Sequence, residues 1–172
     1  TLNALRNDSV SGRFEVITAL PYATFIIDYA HNELSLWNVL ETIRLYNPKR
    51  LICMFGSVGG RTILRRRGLG KIAGELEDFC IITSDNPDYE NPLNIMSDIE
   101  RGLKTNENPC PYIMIADRAE AIAYAVTNAK EGDVILLAGK GHEDYQLIEG
   151  EYVPFNEREL ILKSAEIILS YR

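Results

Sequence analysis

Short apolar runs rich in β-branched residues alternate with amphipathic stretches along nearly the whole chain. Residues 10–20, with Phe14-Glu15-Val16-Ile17-Thr18 alternating, predict a first strand, and Thr24-Phe25-Ile26-Ile27 predicts a second. Residues 33–46 place Leu36, Trp37, Leu40 and Ile43 at the spacing of one helix face, and Pro48 stops that helix. The pattern then repeats: strand 51–55, helix 67–77, strand 79–83, helix 92–103, strand 112–115, helix 118–130, strand 134–138 and a last helix over 157–171. Residues 147–153 read as a short hairpin or irregular excursion.

Helix starts are marked by Asn91 before Pro92, by Asp117 with Glu120 three residues on, and by Asn156 with Glu159. Gly132 is the expected C-terminal stop of the fourth helix. Strand and helix alternating in this way predict an α/β, Rossmann-like doubly wound sheet of six strands, mostly parallel, with helices on both faces. No repeat, low-complexity run or linker divides the chain, so residues 1–172 read as one domain. A chain of this length buries about two-thirds of its unfolded surface without disulfide or metal staples.

Composition narrows the function classes. A net charge of -7 argues against a nucleic-acid surface, because phosphate binding rests on Lys and Arg. The local exception is Arg61, Arg65, Arg66, Arg67 and Lys71. No apolar stretch approaches the roughly 20 residues of a membrane span, and no signal-peptide pattern is present. A cytoplasmic protein with neither nucleic-acid nor membrane partners is expected. Cys53 and Cys80 lie inside apolar runs and Cys110 between two prolines, without C-x-x-C spacing, which reads as buried thiols in a reducing compartment.

Candidate chemistry collects after the strands, where open α/β sheets bind ligands. Asp28-Tyr29-Ala30-His31, Thr83-Ser84-Asp85-Asn86-Pro87 and the run from Ala138 through Gly139, Lys140, Gly141, His142 and Glu143 to Gln146 each follow an apolar run. Gly56-Ser57-Val58-Gly59-Gly60-Arg61 follows another, where glycines admit a ligand to the backbone and an arginine forks onto carboxylate or phosphate, or is simply solvated. The phosphate-cradling G-x-x-x-x-G-K-[ST] loop is missing: Gly68-Leu69-Gly70-Lys71 runs into Ile72, and Gly139-Lys140-Gly141-His142 fails likewise. A dinucleotide G-x-G-x-x-G after the first strand is missing too. Neither histidine has the partners of a metal site, and Ser57 and Ser84 have no visible activating base. His31 and His142 read as capping or substrate-contacting residues, and Asp85-Asn86-Pro87-Asp88 as a turn or a binding loop.

Taken in order, Gly12-Arg13-Phe14-Glu15, Asp28 to His31, Phe55-Gly56, Asp85-Asn86-Pro87, Asp117-Arg118-Ala119-Glu120 and Ala138 to Gln146 resemble the C-terminal domain of the Mur ligase family. The match is strongest to the branch that adds the third residue to a UDP-N-acetylmuramoyl dipeptide, the MurE type. The resemblance implies a three-domain, ATP-dependent acid–amino-acid ligase acting through an acyl phosphate, of which this chain holds only the third domain. The UDP-substrate domain and the P-loop domain, which binds most of the ATP and Mg2+, lie outside it. No catalytic residue is expected within this domain alone, and the isolated domain is expected to be inactive. By position, Arg13 and Asp28 match residues that meet ATP, with His31 close by. Arg61, Asp85, Asn86, Pro87, Asp88, Gly139 and Glu143 fall on the loops that hold a free diamino acid.

Two departures bear on which amino acid that is. Diaminopimelate-adding relatives usually read Asp-Asn-Pro-Arg, and here Asp88 takes the place of the arginine. Two negative groups about 4 Å apart repel by about 1 kcal/mol in water and more in a pocket. The departure favours lysine or ornithine, or else a pocket in which Arg61 alone grips the far carboxylate. The 57–67 loop also lacks the acids and the first lysine of its relatives, while Arg61 and a basic tail remain. Two further readings stay open: an amide ligase of the family with another substrate, as in the folate or cyanophycin branches, and a non-catalytic Rossmann-like binding module.

Overall fold

The computed structural model describes residues 11–171. Its elements are β1 (Glu15–Leu20), β2 (Ala23–Asp28), α1 (Glu33–Arg44), β3 (Arg50–Phe55), α2 (Ile63–Leu76), β4 (Phe79–Ile82), α3 (Pro92–Leu103), β5 (Tyr112–Met114), α4 (Arg118–Thr127), β6 (Asp133–Ala138), β7 (Tyr145–Ile148), β8 (Glu151–Pro154) and α5 (Glu157–Ser170). The main sheet has the order β1-β2-β6-β3-β4-β5, parallel throughout except for β1, which runs antiparallel to β2. β6 therefore inserts between β2 and β3, and the strand order reverses there.

Strand periodicity sorts the core into two faces. Along β6, Val134, Leu136 and Ala138 join Leu36, Leu40 and Ile43 of α1, Leu69 and Ala73 of α2, and Ile95, Ile99 and Leu103 of α3. Ile135 and Leu137 face the other way, against Ala121, Ile122 and Val126 of α4 and Ile161 and Ala165 of α5. The predicted six-strand, doubly wound sheet is thus the observed one, with three helices on one face and two on the other.

Details differ from the sequence reading for local reasons. β1 begins at Glu15 because Gly12 and Phe14 take positive φ (72° and 49°), which bends the chain before the strand; Val10 lies outside the described residues. In α1, Val39 is buried and Trp37 is more than a third exposed, so the inner face turns slightly from the one predicted. Helix α2 starts at Ile63 rather than near Arg67, capped by the Thr62 side chain, so Arg65 and Arg66 are helical too. Gly132 is not a helix stop, since α4 ends at Thr127 with Asn128 as its cap. Gly132 instead serves a tight turn at φ 84°, where its amide donates to the Tyr22 carbonyl. The helix starts at Asn91, Asp117 and Asn156 are as expected, each side-chain oxygen accepting an N–H from the first turn. Strands β7 and β8 form the hairpin expected near residue 150, turning through Glu149 and Gly150 at φ 51° and 82°. No helix of the described residues is long and apolar enough to cross a membrane.

Candidate functional site

Loops after four adjacent strands, β2, β6, β3 and β4, converge at the carboxyl edge of the sheet, at the point where the strand order reverses. They enclose a cleft of about 150 Å³. Tyr29 and His31 come from the end of β2; Gly56, Ser57, Val58 and Arg61 follow β3; Asp85 follows β4; Gly139 and Glu143 follow β6; and Arg65 enters from α2. Drug-sized ligands occupy pockets of about 300–1,000 Å³, so this volume suits a small metabolite.

One wall is acidic. Asp85 is buried, and Glu143 is held by Asn86, whose Nδ2 donates to Glu143 Oε2 at 3.0 Å. The Asn86 carboxamide is fixed in turn, its Oδ1 accepting from the Leu147 amide at 3.1 Å and from Lys140 Nζ at 2.9 Å. Lys140 has no exposed side-chain surface and also reaches Glu143 Oε2 and Asp85 Oδ1. Gln146 Nε2 donates to the Asp85 carbonyl at 2.7 Å. At Gly139, φ is 113° and a Cβ would stand 2.9 Å from Asp85 Oδ2, so glycine keeps the space in front of that oxygen open. The charge of Glu143 pushes the pKa of the neighbouring Tyr145 hydroxyl up, disfavouring its ionised form.

The opposite wall is basic. Arg61 is exposed, and Arg65 Nη2 donates to the His31 carbonyl at 2.9 Å. One member of the basic run is not free for a ligand. Arg66 is buried and paired with Glu90 at 2.5 Å and Asp98 at 3.2 Å, which holds the Glu90 carboxyl below its usual range.

A second group stands beside the cleft around Tyr29. The His31 ring centroid lies 4.6 Å from that of Tyr29 and the His142 centroid 5.3 Å away, while the Arg13 guanidinium sits 5.9 Å over the same ring. Asp28 Oδ2 accepts from the Phe14 amide at 2.8 Å, which pins the Arg13 turn to the end of β2. Gly12 closes the arrangement, since a Cβ there would lie 2.1 Å from the His142 nitrogen. Glu15 accepts from the Gly12 amide and pairs with Arg158.

The structure therefore brings together Arg13, Asp28 and His31 on one side, and Arg61, Asp85, Asn86, Gly139 and Glu143 on the other, while Pro87 lines a separate cleft with Asp88. Asp88 stands apart. At φ 52°, its carboxylate accepts the Gly150 amide at 2.8 Å, and its backbone bonds Leu147 and Glu149. It lines a separate cleft of about 600 Å³, with Tyr89, Glu90, Asp117, Ile148 and Glu149. The expectation that Asp88 opposes a carboxylate in the amino-acid pocket does not fit this geometry: Asp88 keeps its negative charge, but its Oδ1 is engaged by the hairpin turn and the residue does not line the cleft of about 150 Å³ with Arg61, Asp85 and Glu143.

Two buried cations were not singled out by the sequence reading. In the sequence Lys140 stands out only as part of a failed phosphate loop and of the run after β6, although a lysine between glycines just after a fully buried strand is itself a signal. Arg118 is fully buried, donating to Glu157 at 2.8 Å and to the carbonyls of Ser84 at 3.0 Å and Ala138 at 3.1 Å, and so clamps the ends of β4 and β6 beneath the site. Among the described residues no three His, Cys, Asp or Glu side chains are arranged to hold a metal ion.

Comparison with known proteins follows the same outline. The family described as Mur ligase, glutamate ligase domain, matches residues 12–141. A UDP-N-acetylmuramoyl-L-alanyl-D-glutamate--2,6-diaminopimelate ligase of Caldanaerobacter subterraneus subsp. tengcongensis is 47% identical over 159 residues, covering 92% of this chain and 32% of the relative. The ligase of the same name from Alkaliphilus oremlandii is 46% identical, covering 91% of this chain and 32% of the relative. A solved structure of a ligase with that name superposes with a TM-score of 0.85 at 32% identity, covering 94% of this chain and 32% of the other. The chain thus spans about a third of the length of the relatives it matches.

Proposed function

The chain belongs to the Mur ligase family, and from that premise we propose that it is the C-terminal domain of an ATP-dependent amide ligase that adds meso-diaminopimelate to UDP-N-acetylmuramoyl-L-alanyl-D-glutamate in the cytoplasm. In the complete ligase, ATP phosphorylates the terminal carboxylate to an acyl phosphate and leaves as ADP; the amine of the incoming amino acid attacks that carbonyl and expels phosphate. This domain contributes position. It presents the amine and meets ATP from one side, converting an encounter between separate molecules into an oriented one. Alone, it is expected to release no ADP.

The observation that carries the choice of amino acid is the tether of Asp88 to Gly150, outside the cleft. With Asp88 removed, the cleft offers a carboxylate wall at Asp85 and Glu143 and a guanidinium at Arg61. The far end of diaminopimelate carries an ammonium and a carboxylate on one carbon, and both find a counterpart. Lysine or ornithine would leave Arg61 without one. Arg13, Asp28 and His31 suit the nucleotide: the guanidinium pairs with phosphate oxygens, and Asp28 Oδ1, which unlike Oδ2 meets no donor among the described residues, suits ribose hydroxyls. Mg2+ is left to the central domain, which supplies electrostatic stabilisation of the phosphates there.

The test is amino-acid-dependent ADP release by the full-length protein with UDP-N-acetylmuramoyl-L-alanyl-D-glutamate, across meso-diaminopimelate, lysine, ornithine and neutral amino acids. Turnover with meso-diaminopimelate well above the others is expected. A preference for lysine would remove Arg61 from the recognition, and silence with every amino acid would move the chain to a different acceptor.

A further inference from the structure

Lys140 has no solvent-exposed side-chain surface, and a buried ammonium persists only where its protons are taken up. It has three N–H bonds to give and meets three acceptors: Asn86 Oδ1 at 2.9 Å, Glu143 Oε2 at 3.3 Å and Asp85 Oδ1 at 3.4 Å. The pattern of used oxygens is one-sided. Lys140 takes Asp85 Oδ1, while Asp85 Oδ2 borders the open space at Gly139. It takes Glu143 Oε2 together with Asn86 Nδ2, while Glu143 Oε1 meets no donor among the described residues. Each carboxylate is held through one oxygen and leaves the other for a ligand.

We infer that Lys140 is a positioning residue of the amino-acid subsite: it holds Asp85 and Glu143 side by side as a pair with one net negative charge, which sets the wall to accept one ammonium group. The inference rests on the reading of the cleft as the amino-acid site. Two carboxylates sharing a site repel, and without a cation one of them takes up a proton or swings away. With Lys140 behind them, two negative charges and one positive leave a single charge, equal and opposite to that of the ligand's ammonium. Lys140 also orients Asn86, whose amide holds Glu143.

A lysine that merely cements the loops after β4 and β6 would show the same contacts, and charge arithmetic separates the two roles. In the full-length ligase, Lys140→Met keeps the unbranched apolar stem of the side chain without the charged end. It is expected to raise KM for meso-diaminopimelate about tenfold or more, while KM for ATP and for the UDP-dipeptide stays within about twofold. Asp85→Asn alone leaves Glu143 and Lys140, with no net charge, and also weakens amino-acid binding. Combining the two leaves Glu143 alone and restores the single negative charge, so Lys140→Met is harmful in the wild-type background and beneficial beside Asp85→Asn. A double variant worse than Asp85→Asn, or equal rises in all three KM values, overturns the inference. If Lys140→Met does not fold, the comparison of Asp85→Asn with the double variant decides alone. If the unmodified ligase releases no ADP with the UDP-dipeptide, the functional reading falls separately. The same sign reversal is then sought in thermal shifts of these proteins with meso-diaminopimelate, and the lack of any shift overturns the inference as well.

Discussion

A side chain's partner can matter more than its identity, and Asp88 is the case in point. By type it promised repulsion of an anionic ligand; by contact it is the acceptor for Gly150 at the tip of β7–β8. Asp88→Arg in the full-length ligase is therefore expected to leave the preference between meso-diaminopimelate and lysine unchanged. It gives up a hydrogen bond of about 0.5–1.5 kcal/mol, at a left-handed position that disfavours residues other than Gly, Asn and Asp. The loss should appear as faster hydrogen exchange at the Gly150 and Glu149 amides, and a changed amino-acid preference would show that residue 88 reaches the pocket after all. Most of the candidate site was legible, because glycine and polar clusters after buried strands mark ligand loops whatever the tertiary detail. Asp88 and Lys140 were not, because their roles depend on partners 62 and 55 positions away, Gly150 and Asp85, which no local pattern pairs with them.

Helices α2 and α3 meet backbone to backbone. A Cβ on Gly70 would stand 1.9 Å from the Ile99 carbonyl oxygen, and one on Gly102 would stand 2.0 Å from that of Arg67. Gly70→Ala should therefore lower the unfolding midpoint: overpacking costs about 1–3 kcal/mol, against a helix-propensity gain of about 1 kcal/mol. A raised midpoint on thermal melting would mean that the two helices can part without cost. The sequence showed Gly70 only as part of a failed phosphate loop and did not mark Gly102 at all, since neither carries a record of the helix it faces. Element existence was legible throughout from apolar periodicity and caps. The start of α2 was missed because Thr62 caps a run of arginines with little amphipathic pattern, and the site's basic tail was misread as loop for the same reason.

At the scale of the whole molecule, one buried acid couples stability to pH. Glu77 is buried among the thiols of Cys53, Cys80 and Cys110 and near Asp78 and Arg44, and neither carboxyl oxygen meets a hydrogen-bond partner among the described residues. Burial pushes its ionisation well above the usual carboxyl range, against smaller pulls from the Cys53 thiol and Arg44. The folded state then holds this proton more tightly than the unfolded state, so the contribution to stability is full below the unfolded pKa and is lost as pH rises through the folded one. Thermal midpoints measured from pH 5 to pH 8 should fall less steeply for Glu77→Gln than for the wild type. Parallel slopes would place the titration elsewhere. The same burial drives the thiols up, Cys110 to about 12, which makes them inert packing groups, as the spacing of the cysteines suggested. The sheet's topology also has a consequence in time. Strands β1 and β2 bond to the other four only through β6, which pairs with β2 on one side and β3 on the other. As the ribosome delivers the chain, a hairpin and a three-stranded half emerge without a shared hydrogen bond, and they wait for residues 133–138. The walls of the cleft come from both halves, so the arrival of one late strand joins the sheet and creates the site in the same event.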